Sequence, residues 1–305
     1  MIKLGLLGVG KMGQNHLKNI VSLPCYELSF IYDYNEELCA RLAKEHGTKA
    51  SLDLDSDLAS VDAIIIVTPT FTHDEYIKKV SKATKNIFVE KPLCDNFEKC
   101  QEIMLLEQNL GLNIAAGFIE RFNPALKELQ NELKKLDSNT KIHELRFTRT
   151  NLASSRISDV DVITDLMIHD IDLALYLNGD AQVLFANGVI QNNTINLATA
   201  TIKHENGIIS HIHASRITHK NERKISIGAD EAHFECDLLA KELNVFKNAK
   251  NEPIQAKEAN ALKDELVAFS ALCAGQKSNK LADAKSATKA MKIATDIAKM
   301  IKEQK

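Results

Sequence analysis

Over the first 118 positions, short apolar runs alternate with stretches of helical spacing. Ile2–Leu7 has the texture of a strand, and Met12–Ser22 carries the spacing of a helix. Leu28–Tyr32 is again strand-like, and Glu36–His46 predicts a helix closed by Gly47. Ala63-Ile64-Ile65-Ile66-Val67 is apolar without alternation, as expected of a strand covered on both faces. His73–Thr84 then predicts a helix, Ile87–Val89 a strand, Phe97–Leu110 a helix and Ile114–Gly117 a strand. Strict alternation of strand and helix predicts an α/β fold with a doubly wound parallel sheet of the Rossmann type.

Beyond about residue 119 the texture changes. Pro124–Leu136 predicts a helix with Leu126, Leu129, Leu133 and Leu136 on one face. Ile142–Thr150 follows as a strand, and a helix over Asp165–Leu177 stops at Asn178-Gly179. Residues 182–238 hold alternating runs, such as Ile208–Arg216 and Lys224–Ile227, separated by Asn-Gly and polar turns. These predict a mostly antiparallel sheet. Two helices, at about 258–274 and 283–302, close the chain. The expected organisation is a nucleotide-binding domain over 1–118 and an α+β domain over 119–305 with an open sheet. The last helices are free to pack back on the first domain.

Composition narrows the function. Of 305 residues, 45% are hydrophobic and 26% charged, ordinary values for a globular protein. The formal net charge of −3 argues against a partner that is a long polyanion. No apolar run approaches the ~20 residues that span a bilayer, and the start of the chain is too broken by glycine for a signal peptide. The six cysteines are scattered without metal-ligand spacing, which suits reduced thiols in a cytoplasm. Tryptophan is absent and aromatics are 5%, against a stacked-base platform. The expectation is a cytoplasmic enzyme acting on a small molecule, with no nucleic-acid or membrane partner and no bound metal.

Gly8-Val9-Gly10-Lys11-Met12-Gly13 is G-x-G-x-x-G directly after the first strand and opening the first helix. Gly8 permits the tight turn, Gly10 lets backbone approach a pyrophosphate, and Gly13 allows close helix–strand packing. The N–H groups of Lys11 and Met12 face the anion at the helix N-terminus. Asp33 ends the second strand, where a carboxylate accepts a ribose 2′-OH and repels a 2′-phosphate, so the expected cofactor is NAD. Without a ligand the same residues make a glycine-rich turn with Asp33 as an N-cap.

A second constellation lies at strand ends and on one helix. Thr68-Pro69-Thr70 ends the buried strand, His73 opens the next helix, and Glu90-Lys91-Pro92 ends the following strand. Thr68, Pro69, His73, Glu90 and Lys91 are therefore candidate cofactor contacts. Asp165, His169 and Asp172 stand at i, i+4 and i+7 on the predicted helix and share one face. A carboxylate one turn from a histidine orients the imidazole, the natural acid/base near neutral pH. Taken alone, Asp165 and His169 also fit a salt-bridged helix face, and Lys91 a solvated lysine. Asp53-x-Asp55-x-Asp57 begins like a calcium loop, but Leu58 and Ile64 stand where Gly and Glu are required. His211-x-His213 reads as a sheet-face pair, and Arg216, Lys220 and Arg223 as a solvated or subunit-facing edge.

Gly8–Gly13, Glu90-Lys91-Pro92 and Asp165-x-x-x-His169, in this order, resemble the glucose–fructose oxidoreductase / inositol dehydrogenase (Gfo/Idh/MocA) family. The resemblance implies that Lys91, Asp165 and His169 are catalytic and that the enzyme is a homodimer or homotetramer built through its second sheet. Many members carry a glycine triplet before the Asp, where this chain has Asp159–Thr164. Gly117–Pro124 and Asp161–Asp172 are similar to the branch that oxidises C3 of UDP-N-acetylglucosamine. That likeness implies an NAD-dependent dehydrogenase producing a 3-keto nucleotide sugar, feeding an aminotransferase of lipid A synthesis. Arg121, Arg149 and Arg156 are then candidates for the diphosphate, and Asp172 for a sugar hydroxyl or for bracing the helix. A dehydrogenase of a free sugar or inositol, and a non-catalytic NAD-binding sensor, are the alternatives.

Overall fold

The computed structural model describes residues 1–152 and 160–304. The chain partitions into two compact units, Met1–Ile119 with Asn260–Thr288, and Glu120–Ala259 with Lys289–Lys305.

The first unit is built on β1 (Ile2–Leu7), β2 (Tyr26–Tyr32), β3 (Lys49–Ala50), β4 (Ala63–Ile66), β5 (Asn86–Glu90) and β6 (Asn113–Gly117). All pairs are parallel, in the order β3-β2-β1-β4-β5-β6. The order reverses between β1 and β4, and at such a switch point open α/β sheets take their ligands. β4 is buried at every position, the reason its sequence shows no alternation. Helices α1 (Lys11–Ile20), α2 (Glu36–His46), α3 (Leu54–Leu58), α4 (His73–Val80) and α5 (Phe97–Leu110) make the crossovers. β3 and α3 are absent from the sequence reading because both are too short to show a period. Asp53, first residue of the calcium-like run, caps α3 by accepting from Ser56 N–H at 3.3 Å.

The second unit opens with a 3₁₀ turn over Ile119–Phe122 and α6 (Pro124–Leu133). Its sheet takes β7 (Ile142–Leu152), β8 (Ala181–Gln191), β9 (Thr194–His204), β10 (Ile209–Thr218), β11 (Glu222–Ala229), β12 (Ala232–Asp237), β13 (Glu242–Lys247) and β14 (Lys250–Gln255). The order is β14-β13-β12-β11-β7-β10-β9-β8, antiparallel except for β7 beside β10. One face is apolar and buried, with Leu145, Phe147, Ile212, Ile225, Ile227 and Phe234. On the other, His211 Nδ1 lies 3.1 Å from Thr201 Oγ1 and His213 Nδ1 3.1 Å from Thr199 Oγ1, as cross-strand pairs. Among the described residues no group of His, Cys, Asp and Glu is arranged to hold a metal ion.

Before β8 lies α7 (Ile168–Asn178), and its entry departs from expectation. The sequence spacing predicts one α-helix from Asp165; instead Ile163–Met167 is a π turn that runs into α7. The turn is pinned upstream, where Asp161 accepts from Ile195 N–H at 2.8 Å and pairs with Lys302 at 3.2 Å. Downstream, α7 is pinned by ion pairs of its own, so the backbone between absorbs one extra residue per turn.

The chain then returns to the first unit through α8 (Ala261–Cys273). Phe269 meets Phe88 edge-on at 5.6 Å, and Tyr26 Oη donates to Leu266 O at 2.7 Å. α9 (Ala284–Lys302) closes the chain. No helix of the described residues is long and apolar enough to cross a membrane.

Candidate active site

A cleft of about 460 Å³ opens at the carboxyl end of the parallel sheet. Its walls are Gly8, Gly10, Lys11, Met12, Asp33, Thr68 and Pro69, together with Tyr32, Tyr34, Val67 and Tyr76. Gly8 has φ +90°, and a Cβ there would meet Val67 O at 2.6 Å. A Cβ on Gly13 would run into Gly8 O, so only glycine lets α1 start this close to β1. At Gly10 a Cβ would meet nothing within 4 Å; it would fill the cradle itself. Gly10 is also the N-cap of α1, and no side chain caps that helix, so its first N–H groups are left for an anion.

Asp33 is held by the same turn. Its Oδ2 accepts from Val9 N–H at 2.7 Å and its Oδ1 from Asn35 N–H at 2.9 Å. The N-cap of α2 is Asn35, not Asp33, so the Asp33 carboxylate is free of that duty. Open cradle, uncapped helix and fixed carboxylate all fit a dinucleotide with a free 2′-hydroxyl. The three tyrosines lining the cleft escape a motif search, although Tyr32 and Tyr34 flank Asp33 in sequence.

His73 opens α4 after the loop that follows β4, Glu90 ends β5, and Lys91 begins the loop after it. His73 is 1% exposed, with Nδ1 2.9 Å from Pro92 O and Nε2 2.9 Å from Thr68 O. Burial lowers its pKa against the pull of those carbonyls. It clamps the two loops together, which corrects its reading as a direct cofactor contact: both ring nitrogens are turned to backbone. Glu90 is also turned inward, its Oε1 2.7 Å from Nε2 of the fully buried His16 and its Oε2 accepting from Lys91 N–H at 3.1 Å. His16 on α1, unremarked in the sequence, thus holds the residue that precedes Lys91. The Lys91-Pro92 peptide bond is cis, and the Lys91 side chain is half-buried.

In the second unit, every residue from Leu166 to Ala174 is buried except His169. Asp165 on the π turn is likewise part-exposed, with Arg216 Nη2 3.9 Å from its Oδ2. Arg216 is 8% exposed and donates to Val160 O at 2.6 Å. It is therefore no part of a solvated edge, because the return of β10 carries it beneath the π turn.

The predicted diphosphate arginines have other partners. Arg149, 1% exposed, grips Asp170 through Nε and Nη2 at 3.0 and 2.8 Å, and reaches Glu120 at 2.9 Å. Arg223 stands opposite Arg149 on β11, and Glu120 accepts from it too, at 3.1 Å, bridging two like charges. Those charges outweigh burial and hold the Glu120 carboxyl below its usual range. Arg121 grips Asp172 at 2.8 and 2.5 Å and lies 4.7 Å from the centre of the Tyr176 ring. Burial pushes the Asp170 and Asp172 carboxyls up, and the opposing guanidinium resists it in each case. Asp172 accordingly braces the helix and does not join Asp165 and His169 at the accessible surface. Arg156 lies outside the described residues.

Comparison with known proteins agrees with this architecture. Residues 2–118 match the Gfo/Idh/MocA oxidoreductase family, NAD-binding Rossmann fold, and residues 145–235 its C-terminal domain. The chain is 31% identical to UDP-N-acetylglucosamine 3-dehydrogenase of Acidithiobacillus ferrooxidans, over 80% of this chain and 77% of that one. It is also 31% identical to scyllo-inositol 2-dehydrogenase (NAD(+)) of Bacillus subtilis, over 70% and 67%. The crystal structure of the Acidithiobacillus enzyme superposes with a TM-score of 0.90 at 27% identity, covering 99% of this chain and 98% of that one. The chain therefore belongs to the Gfo/Idh/MocA family, as an NAD-binding oxidoreductase of the sugar-dehydrogenase type.

Proposed function

We propose that the protein oxidises the C3 hydroxyl of UDP-N-acetylglucosamine to the 3-keto nucleotide sugar, with Lys91, Asp165 and His169 as its catalytic groups. The observation that carries this is the pairing of Asp165 and His169 as accessible polar side chains on a segment otherwise buried from Leu166 to Ala174. Burying that segment while leaving an imidazole and a carboxylate at its surface suits acid/base work better than packing. The likeness to UDP-N-acetylglucosamine 3-dehydrogenase over most of both chains supports the substrate.

NAD, when bound, supplies the acceptor for the hydride leaving the carbinol carbon. Its pyrophosphate would be held by the N–H groups at the start of α1, and its ribose by Asp33. His169 takes the proton of the hydroxyl as the carbonyl forms. Lys91 holds the same oxygen with its ammonium group and favours the developing negative charge. Asp165 orients the ring and stabilises its protonated form, and the Arg216 guanidinium stands 3.9 Å from the Asp165 carboxylate. Since Arg121 and Arg149 serve internal carboxylates, Arg156 remains of the three arginines for the substrate diphosphate.

The equal identity to the inositol enzyme supports a second reading, a dehydrogenase of a free polyol. Incubation with NAD separates the two. UDP-N-acetylglucosamine should yield NADH and a 3-keto product, while inositols should yield neither. NADH from an inositol but not from the nucleotide sugar would overturn the first reading. Lys91→Ala and His169→Asn should each lower kcat by about 10²–10⁴-fold, and unchanged turnover in both would remove the catalytic assignment.

A further inference from the structure

We infer that the buried forks Arg149–Asp170 and Arg121–Asp172 are positioning pairs that fix the bearing of His169. This rests on His169 being the acid/base of the proposed reaction. α7 carries the sequence Ile-His-Asp-Ile-Asp-Leu-Ala-Leu-Tyr-Leu-Asn, apolar over its length apart from His169, Asp170, Asp172, the Tyr176 hydroxyl and the terminal Asn178. An apolar helix in an apolar surround has little to set its rotation about its own axis, because one aliphatic contact replaces another at small cost. A planar guanidinium held by two parallel bonds does not permit that exchange.

The placement of the forks is what makes them guides. At about 100° per residue, Asp170 projects about 100° to one side of His169 and Asp172 about 60° to the other. The two restraints therefore straddle the histidine. They also come from different elements: Arg149 from β7 and Arg121 from the 3₁₀ turn. Each carboxylate receives two bonds from its arginine, at 3.0 and 2.8 Å and at 2.8 and 2.5 Å. Glu120 and Asn123 complete the first fork: Glu120 accepts from Arg149, and Asn123 donates to the second oxygen of Glu120 at 3.1 Å. With a ring nitrogen about 6 Å from the helix axis, a roll of about 20° displaces it by about 2 Å. A misplacement of about 1 Å at a reacting group is enough to cost about 10²-fold in rate.

Buried ion pairs are often replaceable by apolar side chains without loss of stability, and that gives the test its edge. Arg149→Met/Asp170→Leu and Arg121→Met/Asp172→Leu remove each fork as a pair and leave no orphaned charge. Their kcat, their KM for NAD and their melting temperature are measured beside wild type, with Arg149→Lys and Arg121→Lys keeping charge but not the fork. The expected result is a fall in kcat of about tenfold or more in both paired variants at unchanged KM for NAD, with intermediate values for the lysine variants. Wild-type kcat in the paired variants, whatever their melting temperature, would overturn the inference. If a paired variant does not fold, wild-type kcat in its lysine counterpart overturns it equally. His169→Asn is the control: if that variant keeps its turnover, the catalytic reading fails. If it is inactive while the fork variants are fully active, the positioning inference fails alone.

Discussion

The Asp33 carboxylate binds two backbone N–H groups and still faces the cleft, so its charge is fixed in place before any ligand arrives. Asp33→Ala should raise the dissociation constant for NAD about tenfold or more, and that for NADP less, by calorimetric titration. Equal loss for both would show that this carboxylate does not discriminate the 2′ position. Glu107 on α5 carries a different lesson. It accepts from Ile114 N–H at 3.1 Å, yet burial, with Asp283 nearby, pushes its pKa from 4.5 up to about 7. The folded state thus holds the proton more tightly than the unfolded chain does. Glu107 contributes stability that is full below about pH 4.5 and lost as pH rises through about 7. Glu107→Gln, which keeps the acceptor, should be more stable than wild type by about 1 kcal/mol at about pH 8 and equal to it near pH 4, in denaturant melts. At this scale the sequence is partly legible. Arg149 alternates with Leu145 and Phe147 along β7 and shares their buried face, although the sequence reading offers it as a diphosphate contact; a buried arginine needs an acid. Which acids answer it is a matter of folding, since Asp170 and Glu120 lie 21 and 29 residues away.

Elements with local punctuation were readable from end to end. α2 and α5 have Asn35 and Asn96 as N-caps and close on Gly47 and Gly111, so their bounds follow from neighbours in sequence. The start of α1 depends on contact with another part of the turn, and the glycines test this. Gly13→Ala should force α1 away from Gly8 O, lowering stability by about 1–3 kcal/mol and weakening NAD binding. Gly10→Ala meets no protein atom, so it should leave the melting temperature nearly unchanged and weaken NAD binding alone. A similar loss of stability in both variants would show that the cradle is a structural turn only. The π turn before α7 could not be read locally. Its residues suit an α-helix as well, and its extra residue follows from anchors at Asp161 and on α7 that are set by distant strands and helices.

At the scale of the molecule, the first unit is discontinuous in sequence. Leu262, Leu266 and Phe269 of α8 are buried, Phe269 against Phe88, and Ala116 N–H donates to Ala282 O at 2.7 Å. A fragment ending at Phe118 lacks all of these partners. It should be poorly folded, with exposed apolar surface detected by dye binding, while fusing residues 260–288 to it should restore a cooperative melt. A cooperative melt from the short fragment would show that α8 is dispensable. Read from local pattern, the glycine turn, Asp33, Lys91 at its strand end and the Asp165–His169 spacing were already in view. The first three are tied to the start or end of an element, where backbone geometry depends on few neighbours, whereas the π turn that carries Asp165 was not legible. The duties of Arg121, Arg149, Arg216, His16 and His73 came from the folded chain. Their partners are carboxylates and carbonyls on other elements, and charge or polarity in a sequence says that a partner is needed without saying which.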